Sequence, residues 1–469
     1  MVGSESMKST FPIFASFLFL FHLTSGISGC ASREVRIGET PESFRHQSVP
    51  LVGAFKADRY NFGNGLRLIV VENHSSPTFA YQTWFRVGSR DEMKGRTGLA
   101  HLFEHMMFKG TKNYKEGEFD RILEEAGVEG ENAFTSRDYT TYVQELPKDK
   151  LELIAKLESD RMINLIVDDK AFKTETEVVQ NERRFRNENS PDGLMYQELF
   201  GLAFTRHPYH WPIIGYQEDL NRMNSEDARQ FYRSYYSPNH ATIVVTGDVD
   251  AEEVARTVQK FYGGIPAQPS PIRNIPAEPA QKAKRTKVMK LNIQVEKLLM
   301  GCHTPEVTHE DIPALSVLQA ILSGGKSSRL HRALVETGIS SSVDSNDMSN
   351  KDPTLFMIAT NLQSGKKASR AEEVIRKELN RIFHEPIPEI ELERAKNKLN
   401  FGFYESMDGN SSRAYFVGHY EALADSFEVG LTIQKRIQTV TALEAQSVAR
   451  RYLDSENCSV IIGVKRNSK

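Results

Sequence analysis

The chain has 469 residues, 39% hydrophobic and 26% charged, which is too long for one ordinary core and fits two or three domains. A net charge of −3 supplies no basic field for nucleic acid, and this excludes that partner class. No long tract has collagenous, coiled-coil or disordered composition, so a large globular protein remains.

In chain order, the first feature is an apolar run from Phe11 to Phe21 behind Lys8. It is short of the ~20 residues that span a bilayer and has the layout of a secretory signal core, with Met1 or Met7 as the start. The run ends at Ile27-Ser28-Gly29-Cys30, which resembles the bacterial lipobox, where the cysteine becomes the lipidated first residue of the mature chain. An ordinary signal peptide with an incidental cysteine is the plainer alternative. Ala31 rather than Asp follows, so the lipobox resemblance implies a periplasm-facing lipoprotein of the outer membrane, tethered only through Cys30. Residues 1–30 are therefore read as signal peptide. Residues 31–49, polar and without periodicity, are read as a flexible spacer.

A first globular unit is expected over residues 50–265. Leu66 to Val71 reads as a strand, and Gly98 to Phe108 and Phe119 to Ala126 read as helices. Within the first of these helices lies His101-Leu102-Phe103-Glu104-His105. Residues four apart share a helix face, so the two imidazoles can converge on one metal ion. Zinc accepts two neutral imidazoles and a carboxylate and leaves a fourth position for water, whose pKa falls to about 7 in such sites. Glu104, beside that position, is the candidate proton acceptor. A third ligand is available from Glu175-Thr176-Glu177-Val178-Val179-Gln180-Asn181-Glu182, where helical spacing puts Glu175, Val178, Val179 and Glu182 on one face. Glutamates paired with Arg183 and Arg184 in water are the alternative reading of that helix.

Pro266, Pro269, Pro271, Pro276 and Pro279 break any regular element, so residues 266–280 are read as a linker. The pattern then begins again over residues 281–469. Asn224 to Tyr236 lies without gaps on Thr441 to Leu453, and each segment is followed by a β-branched run, Thr242 to Val245 and Ser459 to Ile462. Two similar α+β domains are expected, each a mainly antiparallel sheet covered by helices. The second copy has no His-x-x-Glu-His, and His303 and His309 are read as loop residues. Cys302 and Cys458 sit in strand-like runs and are read as two buried thiols, with one disulfide as the alternative.

Together these residues resemble the inverzincins of the pitrilysin, insulin-degrading enzyme and mitochondrial processing peptidase family. Further motifs carry the resemblance: Asn64 to Val71, Val87 to Glu92, Asn132 to Thr140, His207-Pro208-Tyr209, Ile214-Gly215, Tyr236 to Asn239 and Gly247-Asp248. It covers most of residues 50 to 465. It implies a zinc-dependent endopeptidase with one Zn2+ per chain, held by His101, His105 and Glu182, with Glu175 supporting the ligands and Glu104 activating water. It also implies peptide substrates held as an extended strand against an edge that includes Asn132, Ala133 and Phe134, and a second domain that walls a chamber. Single-chain members of the family carry an arginine and, seven residues later, a tyrosine after a Ser-Arg-Leu segment. Here Ser328-Arg329-Leu330 is followed, with a gap allowed before Gly338, by Val335 and Ser341 at the matching positions, with Arg329, Arg332 or Tyr415 as substitutes. The resemblance therefore implies a zinc-bearing subunit whose similar, zinc-free partner supplies the arginine and tyrosine. A non-catalytic, peptide-binding or scaffolding lipoprotein of the same fold is the competing function.

Overall fold

The computed structural model describes residues 44–466; the signal segment, Cys30 and the spacer through residue 43 lie outside the described residues. The first sheet holds β1 (Arg45–Pro50), β2 (Lys56–Asn61), β3 (Arg67–Glu72), β4 (Thr78–Phe85), β5 (Glu129–Thr135), β6 (Thr140–Pro147) and β7 (Ala241–Gly247), ordered β1-β2-β3-β7-β4-β6-β5. The second holds β8 (Arg285–Leu291), β9 (Lys297–Thr304), β10 (Ser340–Asp347), β11 (Thr354–Leu362) and β12 (Cys458–Lys465), ordered β10-β11-β9-β12-β8.

The two sheets repeat one plan. In each, one parallel pair (β3 with β7, β8 with β12) is followed by three antiparallel pairs, and the last of these carries a register shift. The helices that match in sequence also match in capping: Asn224 with Asp227 closes a capping box on Ser225–Tyr235, and Thr441 with Glu444 closes one on Ala442–Tyr452. Each such cap contributes about 1 kcal/mol. This is the duplicated α+β architecture expected from the sequence. The first sheet alone adds the β1–β2 hairpin outside β3.

Central strands of the first sheet are apolar on both faces because both faces are covered. Leu68, Val70, Ile243 and Val245 face the helices of the first half, whereas Ile69, Val71, Val244 and Trp84 join a core with residues of the second half. The cover on that second face is the helix Asn410–Ala424, which lies across β4 and β7. Helix and sheet come so close that a Cβ at Gly418 would sit 2.2 Å from the Trp84 indole. Reciprocally, the helix Pro191–Ala203 of the first half lies on β12, β9 and β8, with Met195, Leu199 and Phe200 packed against Leu291, Leu355 and Ile461. Each half thus lends one helix to the other's sheet.

Three expectations need correction. Arg45–Pro50 is not spacer: it pairs residue for residue with β2, held by main-chain bonds that its polar side chains do not advertise. His303 is in β9 rather than a loop, opposite Leu355, with its ring against Phe204 and its Nε2 3.2 Å from the Ala203 carbonyl oxygen. Cys302 and Cys458 are bonded to each other rather than free, because the β9–β12 register sets them directly opposite with Cα atoms 4.0 Å apart. Residues 266–282 form no helix or strand. Arg273 straps this segment to the first half, donating to the Arg86 carbonyl at 2.7 Å and lying 3.3 Å from Asp91.

The shared interface also contains a neutral histidine. His419 lies beside Tyr139, Tyr415 and Tyr420, with Nδ1 3.3 Å from the Tyr139 hydroxyl, and burial pushes its pKa down to about 4. Against an unfolded value of about 6.5, the folded state then binds fewer protons, so this contribution to stability is present above pH ~6.5 and lost as pH falls towards 4. A H419Q variant lacks that loss. Its stability relative to the parent, from urea unfolding at several pH values, is expected to improve steadily between pH 6.5 and 4; a pH-independent difference would contradict the assignment.

Candidate metal centre

Two helices carry the site. The histidine helix, Leu99–Met106, starts at Gly98 in the left-handed region (φ +95°), a position without a capping side chain of its own. Glu92 supplies the cap: its two carboxylate oxygens accept from the Gly98 and Ala100 N–H groups, each at 2.8 Å. Leu102, Phe103 and Met106 are fully buried beneath the helix, which leaves His101 and His105 turned towards the second helix. That glutamate helix, Asp169–Arg183, is capped by Asp168, which accepts from the Ala171 N–H. Phe172 and Val179 anchor it in the core, and Glu175 lies on the same side. Val178, expected on that face, is instead 42% exposed, since three residues from Glu175 it falls at the margin of the stripe.

The structure brings His101, His105 and Glu182 together: one donor atom from each lies within 4.8 Å of the others. His105 Nε2 is 3.2 Å and His101 Nε2 3.7 Å from Glu182 Oε2, which makes no aligned hydrogen bond although it is buried. Donors about 2 Å from one tetrahedral ion sit about 3.3 Å apart, so two imidazoles and one otherwise uncommitted carboxylate oxygen fit zinc in spacing and chemistry.

Neighbouring charges hold the donors in place. Arg186 takes the outer oxygen of Glu182 at 2.8 Å. Glu175 stands 3.7 Å from His105 Nδ1 and binds Lys109 Nζ at 2.7 Å. A Glu175 carboxylate on the Nδ1 side favours the tautomer that leaves Nε2 free to face Glu182. Burial opposes charge on His105, but Glu175 and Glu182 outweigh it and raise the pKa to about 9; burial dominates at His101 and lowers it. Burial likewise opposes charge on Glu175 and Glu182, yet His105, with Lys109 or Arg186, keeps both carboxyls below their usual range. Lys109 and Arg186 were not anticipated, although each lies four residues after a candidate ligand and so on the same helical stripe.

Glu104 is half-buried on the histidine helix, and among the described residues no hydrogen bond or ion pair engages its carboxylate. Beside this helix runs β5, the terminal strand of its sheet: Asn132, Ala133 and Phe134 pair with Val143, Tyr142 and Thr141 on one side only. Phe134 is 45% exposed and Ala133 is buried. The neighbouring motifs tie the two halves together. Buried Asp138 accepts from the Tyr209 hydroxyl at 2.6 Å, Asn350 Nδ2 at 2.8 Å and the Lys351 N–H at 3.1 Å, while His207 and Arg90 both reach Asp352.

None of the substitutes for the missing arginine and tyrosine is free. Arg329 and Arg332 both bind Glu391. The Tyr415 hydroxyl is 3.0 Å from that of Tyr139, and its ring packs on Trp84, which faces the second half rather than the histidine helix. The Ser341 hydroxyl donates to the Asn361 carbonyl.

The protein is a duplicated α+β fold that sets a His-x-x-Glu-His helix against a glutamate-bearing helix. Residues 67–215 match the family model described as insulinase (peptidase family M16), and residues 222–399 match the peptidase M16 inactive domain. The zinc protease PqqE of Helicobacter pylori is 30% identical over 417 residues, covering 87% of this chain and 93% of that protein. An uncharacterized zinc protease of Bacillus subtilis, YmxG, is 26% identical, covering 87% and 98%. The crystal structure of a protease from Helicobacter pylori superposes with a TM-score of 0.83 at 29% identity, covering 87% of this chain and all of that one. The chain belongs to peptidase family M16.

Proposed function

We propose that the chain is a zinc-dependent endopeptidase that hydrolyses peptides or unfolded segments bound as extended strands. The observation that carries this reading is the convergence of His101, His105 and Glu182 beside an uncommitted Glu104. Zinc bound by those three residues would supply a Lewis acid that polarises the scissile carbonyl and acidifies water. Glu104 takes a proton from the attacking water as its oxygen adds to the carbonyl carbon, and returns a proton to the amine as the C–N bond breaks. Glu175 orients His105, and Arg186 offsets the charge of Glu182. The free side of β5 at Asn132, Ala133 and Phe134 offers main-chain N–H and C=O groups to a substrate strand, which fixes its direction without demanding a sequence.

The engagement of Arg329, Arg332 and Tyr415 elsewhere supports a second part of the reading. Donors aimed at the developing negative charge come from a similar, zinc-free partner chain, and this chain is the zinc-bearing subunit of a heterodimer. Purified alone and loaded with zinc, it is expected to cleave peptides poorly and to gain activity with the partner. A monomer that is fully active by itself would overturn this part.

A third part of the reading rests on the lipobox resemblance alone: the chain is tethered to the membrane through a lipid on Cys30. Among the described residues no helix is long and apolar enough to cross a membrane. The chain enters the described structure at β1, the sheet edge opposite β5, and six strand spacings separate those edges by about 30 Å. A tether there would join the chain at the sheet edge opposite the one that borders the candidate site. C30S is expected to move the protein from the membrane to the soluble fraction; unchanged membrane association would defeat the tether.

A further inference from the structure

We propose that Arg183 is a positioning residue that fixes the distance between the two metal-bearing helices; the proposal rests on the reading of His101, His105 and Glu182 as zinc ligands. Arg183 is the last residue of the glutamate helix, directly after Glu182, and its side chain is 8% exposed. Its Nη1 donates to the Gly215 carbonyl at 2.9 Å and to Gln197 Oε1 at 3.3 Å. Past Arg183 the regular α-turns end, and Arg184–Glu188 is wound as a wider π-turn. Glu182 therefore sits in the last regular α-turn, where the helix changes from i→i+4 to the wider i→i+5 winding.

What Arg183 holds is the loop that also holds the histidine helix. Gly215 has φ +81°, and a Cβ there would lie 2.3 Å from the Thr97 carbonyl oxygen and 2.6 Å from Gly98 Cα. Gly98, the first cap position of the histidine helix, is in turn so close that its own Cβ would lie 2.7 Å from the Ile214 oxygen. Hydrogen bonds lock this crossing. The Tyr216 N–H donates to Thr97 Oγ1 at 2.9 Å, and Thr97 donates to Asp219 Oδ2 through its hydroxyl at 2.7 Å and its N–H at 3.2 Å. One rigid loop is thus fastened to the start of the helix that carries His101 and, through Arg183, to the end of the helix that carries Glu182. Arginine suits the task because Nη1 reaches the Gly215 carbonyl and Gln197 while Nε, on the other side of the same planar group, lies 3.5 Å from Glu188 Oε1, whereas the compact ammonium of lysine on its flexible stem cannot occupy both places.

The test measures zinc affinity by competition with a chromophoric chelator, alongside the melting temperature of the metal-free protein. It compares the parent, R183M, R183K and D168A. D168A removes the cap at the far end of the same helix and so separates general helix stability from positioning. R183M is expected to bind zinc about 10–100-fold more weakly than the parent, the range typical of outer partners of metal ligands. R183K is expected to lose less than R183M, which also preserves a readout should R183M fail to fold. D168A is expected to lower the metal-free melting temperature with zinc affinity within about two-fold of the parent. A parent that binds zinc alongside equally tight R183M and R183K overturns the positioning role alone. Loss of affinity in D168A in proportion to its loss of stability overturns it as well. A parent that binds no zinc overturns the ligand assignment beneath it.

Discussion

Glu104→Gln is expected to retain zinc and lose peptide hydrolysis by about two to four orders of magnitude, the usual worth of a positioned general acid–base group. The substitution keeps the size of the side chain and removes its ability to take a proton. It sits on the helix beside both histidines but is engaged by no other group among the described residues, so its loss should leave the donor set and the fold unchanged. The loss should fall on kcat rather than KM, because Glu104 acts on the water and the leaving amine rather than on bound peptide. Steady-state kinetics with a fluorogenic peptide, with zinc content measured on the same samples, checks both halves. Parent-like turnover would remove Glu104 from the mechanism.

Glu182→Gln and Glu175→Gln should separate, although the two residues lie on one helix face. Glu182 turns an uncommitted oxygen towards both histidines, so a neutral amide there removes a ligand charge and should weaken zinc by more than the 10–100-fold expected of an outer partner. Glu175 reaches His105 Nδ1 and Lys109 rather than the side of the histidines that faces Glu182, so its loss should fall within that 10–100-fold range. Chelator competition on the two variants measures both. Equal zinc affinity in parent and Glu182→Gln would exclude Glu182 as a ligand, and a larger loss at Glu175 than at Glu182 would reverse their roles.

How much of this was legible in the sequence follows from the range of the interactions. The four-residue spacing of His101 and His105 and the seven-residue spacing of Glu175 and Glu182 are properties of one helix each, and helical periodicity reports them. The repeat was legible for the same reason, because capping boxes and the β-branched runs behind them are local patterns. Which glutamate faces the histidines is a matter of how two helices pack, and the helix pattern alone leaves both open. The pairing of Cys302 with Cys458 depends on the register of strands separated by 156 residues, which neither strand's composition encodes. The polar face of Arg45–Pro50 hid a strand whose partner is β2. Asp138, His207 and Tyr209 were visible as motif residues, yet their work at the interface depends on Asn350, Lys351 and Asp352 from the other half. Lys109 and Arg186 were within reach of the periodicity argument, because they lie four residues after His105 and Glu182 respectively.

Diffraction data collected above and below the zinc absorption edge, from crystals of the purified chain grown with zinc, test the central claim most directly. The account predicts one strong anomalous peak between His101, His105 and Glu182 that vanishes in crystals of H105A. A peak elsewhere in the molecule with none between these three residues would contradict it.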